Sequence, residues 1–149
     1  MNLYNNFIKL TTNKKLYFYL DKQDNFSDRL KIFLLHFAFF LKVFKKNIEK
    51  LKLQKIYDFI FRQLELSIRE IGYGDQSINK KMKDYLNLFH NILGEIHFWD
   101  NLDNNQKTVL LKKYIITEKD LTVLKEYFDK YDNNLKKNTF HFYLKSVID

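Results

Sequence analysis

The chain has 149 residues, 46% of them apolar and 17% aromatic, with a formal net charge of +8 and a pI near 9.4. That length supports one hydrophobic core, and the apolar content excludes a disordered chain. The absence of cysteine excludes a disulfide framework, a thiol nucleophile and thiolate metal sites.

There is no proline and there are three glycines, which argues for helices with short connections, since sheets need turn residues at every reversal. The expectation is an all-α, single-domain bundle of five to seven helices over residues 1–149. Lysine supplies 23 of the 26 positive charges. The basic balance suits a polyanionic partner such as RNA or an anionic lipid surface, although lysine enrichment also follows from AT-rich codon usage. In such a background the three arginines, Arg29, Arg62 and Arg69, point to a need for the planar five-donor fork. The N-terminus lacks an apolar signal core, a cleavage site and an arginine-rich amphipathic pattern, so no presequence is expected.

Leu3–Leu20 reads as one or two short helices, with Leu3, Phe7, Ile8, Leu10 and then Leu16 to Leu20 inward. Asp24 or Ser27 is the natural N-cap of the next helix. That helix, about Asp28 to Lys46, has only Lys31, His36 and Lys42 as polar residues between Leu30 and Phe44. Being apolar nearly all round, it is expected at the centre of the bundle. A transmembrane reading fails on length: the low-charge stretch Ile32–Leu41 is ten residues, against the roughly 20 that a spanning helix needs.

From Leu53 to Ile71 the apolar residues Leu53, Ile56, Tyr57, Ile60, Phe61, Leu64, Ile68 and Ile71 recur at spacings of three and four. Lys52, Lys55, Asp58, Arg62, Glu65 and Arg69 occupy the other side. Gly72 is placed to take the left-handed position that ends this helix. Asp75 or Ser77 then caps a helix whose inward stripe is Ile78, Met82, Tyr85, Leu86, Phe89, Ile92 or Leu93, and Ile96, with Lys80, Lys81 and Lys83 outside. A loop at Asn101–Asn105 leads to a helix from Gln106 to Tyr114, with Val109, Leu110 and Tyr114 inward. Thr117 and Asp120 have capping-box spacing before a final helix through Leu121, Leu124, Phe128 and Tyr131. Residues about 133–149 are expected to be a polar and aromatic tail packed on the bundle, with Phe140–Leu144 as its apolar patch.

Catalytic signatures are weak. Gly72-Tyr73-Gly74 lacks the third glycine of a dinucleotide loop, with Ser77 in its place, and follows a helix rather than a strand. His36, His90, His97 and His141 have no metal-ligand spacing, so no metal site and no cofactor is expected. His36 reads as a buried, hydrogen-bonded residue. The carboxylates Asp58, Glu65, Glu70 and Asp75 lie near cations, which lowers a carboxylate pKa, the wrong direction for a general acid. A rigid charged corner presented to a protein partner fits these residues better than a reactive centre.

At this corner Glu65–Lys83 (ELSIREIGYGDQSINKKMK) resembles the ubiquinol–cytochrome c chaperone family. The family pattern is an acidic residue, then Leu-Arg-Glu, a hydrophobic residue, Gly-x-Gly-Asp, a hydrophobic position and basic residues. Glu65, Arg69, Glu70, Gly72, Gly74, Asp75, Ile78 and Lys81 fall on it. Upstream, Tyr19, Asp28-Arg29-Leu30 and Leu35-His36 are similar to the family's tyrosine, Gly-Arg-Phe and Leu-His. The chain departs from the pattern at Asp28, which replaces a glycine, and at Phe89-His90-Asn91, where an aromatic-Gly-Arg segment is frequent.

The resemblance implies an all-helical, non-enzymatic assembly factor for the cytochrome bc1 complex. Its implied partners are nascent or newly inserted cytochrome b, a second small chaperone subunit, the ribosome and the inner-membrane surface, with no DNA. It implies a place in the bacterial cytoplasm against the inner membrane, or in the mitochondrial matrix of a eukaryote. It marks Arg29, His36, Glu65, Arg69, Glu70, Gly72, Gly74, Asp75 and Lys81 as the partner-binding or structural corner. The alternative is a basic helical module that binds RNA, the ribosome or proteins in general.

Overall fold

A computed structural model describes residues 2–11, 16 and 26–139. The described residues form an all-α bundle: α1 (Asn2–Thr11), α2 (Phe26–Phe44), α3 (Lys50–Ile71), α4 (Asp75–Ile96), α5 (Asn104–Tyr114) and α6 (Thr122–Lys137). Single 3-10 turns, Lys45–Asn47 and Trp99–Asn101, follow α2 and α4. The expectations for Tyr17–Leu20, Asp24 and Phe140–Leu144 lie outside the described residues.

Helix α2 is the central rod, as its composition requires: every residue from Ile32 to Leu41 is buried. Four helices and the second 3-10 turn pack around it through aromatic rings. Phe7 of α1 meets Phe33, Phe37 and Phe40 with centroids 5.5–5.8 Å apart. Phe37 stacks on Phe89 of α4 at 5.0 Å and reaches Phe61 of α3 at 6.4 Å. On its other side Phe39 stacks on Phe128 of α6 at 5.2 Å and meets Trp99 edge-on at 5.1 Å. These offset and edge-to-face geometries suit ring quadrupoles and add about 0.5–1.5 kcal/mol per pair beyond area burial. Among the described residues, no helix is long and apolar enough to cross a membrane.

The interior polar groups of α2 are answered one by one. His36 is wholly buried, and its Nδ1 lies 2.8 Å from the Ile32 carbonyl. A carbonyl only accepts, so Nδ1 carries the proton and Nε2 accepts from the Tyr127 hydroxyl at 2.6 Å. Desolvation pushes the imidazole pKa down to about 4, so His36 is neutral at pH 7. Lys42 donates to Asp132 at 2.7 Å and to Asp100 at 3.0 Å, tying α2 to α6 and to the second 3-10 turn. Lys136 closes the square, 2.7 Å from Asp100 and 2.9 Å from Asp132. Burial alone would raise the Asp100 carboxyl, but hydrogen bonds from Lys136 and Lys42 outweigh it and hold the pKa at about 2. Asp129 is a second hub, accepting from Trp99 Nε1 at 2.9 Å and pairing with Lys107 and Lys125 at 2.8 and 3.0 Å.

Several sequence expectations are corrected. Helix α2 begins at Phe26, which places Ser27 inside it rather than at its cap. Ile8 is exposed while Asn6 and Thr11 turn inward, Thr11 donating to the Phe7 carbonyl at 2.7 Å. In α5 the inward residues are Leu110, Leu111 and Tyr114, and Val109 faces solvent. Its cap is Asp103, which forms a full capping box with Gln106. The box expected from Thr117 and Asp120 does not form: Asp120 instead accepts from the amide and hydroxyl of Thr122, two residues on. Asn133 does not open a tail, because α6 continues to Lys137 and buries Leu135 and Asp132.

Candidate functional site

The glycine corner joins α3 to α4 in three residues. Ile71 is the last residue of α3, and Gly72 takes φ 103°, the left-handed conformation that only glycine adopts without steric cost. Its N–H donates to the Arg69 carbonyl at 3.0 Å. Gly74 is extended, at φ −74° and ψ 163°, and α4 starts at Asp75. Neither Asp75 nor Ser77 makes a side-chain cap to this helix, contrary to expectation. The Asp75 carboxylate turns back to Arg69 instead, accepting from Nη1 at 2.8 Å. The second guanidinium nitrogen lies 3.5 Å from Glu65, one turn earlier on α3.

Arg69 therefore spans the corner with both ends of its fork. The Asp75 hydrogen bond raises the guanidinium pKa above its ordinary value, and Asp75 occupies the first turn of α4, where the helix dipole favours an anion. Glu70 is exposed beside them. Lys81 stands over the Tyr73 ring with its nitrogen 4.5 Å from the centroid, a cation–π contact that holds the turn against α4. Ile71, expected inward as the end of the α3 stripe, is 51% exposed, and Tyr73 and Leu66 are also exposed there. The corner thus combines an ion-paired charge cluster with exposed apolar side chains.

The remaining predicted site residues divide. Phe37 packs on Phe89, and Leu41 shares a groove with Leu93, so α2 and α4 run in the same direction. Arg29, exposed near the start of α2, accordingly lies toward the corner end of the bundle. His36 does not belong to the corner: it is enclosed by Tyr127, Phe128 and Tyr131 of α6, with ring centroids 4.9–5.5 Å away.

Two open grooves lie along the α3–α4 seam, each of about 550 Å³. The one nearer the corner is lined by Phe61, Met82 and Leu86, with Arg62, Glu65 and Lys83 among its polar residues. The other is floored by Leu41, Ile48, Leu53 and Leu93, with Lys45 and Lys50 beside them. His90 lines both, and its Nε2 lies 3.1 Å from the Tyr57 hydroxyl. The stripe positions Met82 and Leu86, expected inward, are only half-buried, because they form the groove walls, while of Ile92 and Leu93 it is Ile92 that is buried. Their apolar character was legible, but not that the seam stays open. Among the described residues, no group of His, Asp and Glu is arranged to hold a metal ion.

The family model for ubiquinol–cytochrome C chaperones matches residues 18–97, just over half the chain. The matched span contains α2, α3, α4 and the whole of the glycine corner. No curated protein and no solved structure matches the chain. With the arginine-bridged corner and the helices that frame it inside the matched span, the chain belongs to the ubiquinol–cytochrome c chaperone family.

Proposed function

We propose that the protein is a non-enzymatic assembly chaperone of the cytochrome bc1 complex, working as one domain, and that its client is cytochrome b. The observation that carries this reading is the family match across residues 18–97. The physical arrangement supports it. Arg69, Glu65, Glu70 and Asp75 make a platform of fixed charge, with Lys81 and Arg29 at the same end of the bundle. The groove beside it, walled by Phe61, Met82 and Leu86, offers an apolar trough of the kind in which amphipathic or hydrophobic helices lie. A client segment is held there while its cofactors and neighbouring subunits arrive. A second small chaperone subunit would add to that surface.

The test is recovery of the tagged chain from mildly solubilised cells. Cytochrome b or other bc1 subunits should co-purify, and deletion should deplete the bc1 complex while leaving other oxidases at their normal level. Normal bc1 content in the deletion strain would sink the proposal.

A further inference from the structure

At the end of the bundle opposite the glycine corner, α2 stops, the Lys45–Asn47 turn follows and α3 begins. Residues 42–55 carry six lysines against one acid, Glu49. Lys42 is engaged by Asp100 and Asp132 in the interior. Lys45, Lys46, Lys50 and Lys55 are exposed, and among the described residues none of the four is ion-paired. On α5 and α6, Lys107, Lys113, Lys125 and Lys136 are each answered by a carboxylate. The lysine field is therefore a local concentration of uncompensated charge, beyond a general excess of lysine.

Leu51 stands within that field and is 71% exposed. It points away from the Ile56–Ile60 stripe and lies one turn before Lys55. A lone exposed leucine needs no explanation. Here it is combined with four open cations and an apolar groove whose rim carries Lys45 and Lys50. Basic side chains beside an apolar one are what interfacial protein segments present to anionic bilayers. Nucleic acid fits less well, because the segment has no arginine fork and no exposed aromatic ring for a base to stack on.

We propose that this end of the molecule docks on an anionic phospholipid bilayer, with Lys45, Lys46, Lys50 and Lys55 against the headgroup phosphates and Leu51 in the interface. The inference deepens the chaperone reading and rests on it, since a client that is embedded in the membrane is met at the bilayer. Docking through this end leaves the corner unobstructed.

The test is co-sedimentation of the full chain with phosphatidylcholine vesicles made with and without phosphatidylglycerol. Binding is expected only with the anionic lipid, and it should weaken with added salt. The triple variant Lys45→Gln/Lys46→Gln/Lys50→Gln should partition roughly 100-fold less, and Leu51→Asp should also lose binding, with thermal melts unchanged because these positions are exposed. Lys80→Gln/Lys83→Gln on α4 should leave partitioning within about twofold. Equal loss in both lysine variants, equal binding to neutral vesicles, or capture of polyuridine RNA in preference to anionic vesicles would each overturn the proposal. Failure of the unmodified chain to bind anionic vesicles, with cytochrome b still co-purifying, would overturn the docking face alone. Vesicle binding that follows the triple variant, without any bc1 subunit co-purifying, would support the face and count against the client.

Discussion

Arg69 and Asp75 meet across the glycine corner at 2.8 Å, six residues apart in sequence and on different helices. The same arginine accepts the Gly72 amide through its carbonyl and reaches Glu65 with its other guanidinium nitrogen. One residue therefore ties the end of α3 to the start of α4 by both backbone and side chain. Such a link sets the direction in which the platform charges point more than it stabilises the fold, because exposed ion pairs are screened by water.

Arg69→Lys should weaken client capture more than Lys83→Arg does, because one ammonium cannot replace two guanidinium nitrogens directed at separate carboxylates. The melting temperature should move little, given the exposure of the pair. Pull-down of bc1 subunits beside a thermal melt checks both halves. Equal capture by the two variants would remove any special role for the guanidinium.

Gly72→Val should destabilise the protein by about 1–2 kcal/mol, since a β-branched residue is forced into the left-handed region. Gly74→Ala should be close to neutral: its backbone is in the ordinary extended region and nothing lies within 4 Å of an added Cβ. Urea titration of both variants measures the contrast. A similar cost at the two glycines would mean that backbone conformation is not what Gly72 supplies.

His36 makes stability depend on pH in one window. Its native pKa, about 4, lies below the ordinary value of 6.5. Between the two the unfolded chain binds a proton that the native protein refuses, so stability rises with pH there. The full contribution is present above pH 6.5, and about 3 kcal/mol is lost on acidification to pH 4. Urea midpoints across that window should show the slope, and His36→Phe should flatten it, whatever its effect on absolute stability. An unchanged slope in the variant would assign the pH dependence to other groups.

Lys42 and Asp132 form a pair with side chains 6% and 3% exposed. Asp132→Leu alone should cost about 3 kcal/mol, since it strips a buried ammonium of its nearest carboxylate. The double variant Lys42→Met/Asp132→Leu should recover most of that loss, because an apolar pair of similar volume avoids the desolvation. A double-mutant cycle in urea reads the coupling, and additive losses would show that the two charges act independently.

Much of the architecture was legible because it depends on short-range rules. The apolar run in α2 could only be satisfied at the centre of the bundle, the α3 stripe had helical period, and Gly72 sat where a helix needs a left-handed terminus. His36 was readable as a buried residue, since a single imidazole in so apolar a helix needs only one or two partners. The corner's glycines and charges also carried the family pattern. Other features depended on distances in space that sequence spacing does not encode. Asp75 had two possible partners, its own helix's free amides and Arg69, and only the angle between α3 and α4 decided for the arginine. The Lys42–Asp100–Asp132–Lys136 square joins three segments, so no local pattern announced it. Local chain chemistry determined where rods form and where they end. How those rods lie against each other, which settles where charges meet and which apolar stripes stay open as grooves, was decided only by packing the large aromatic side chains around α2.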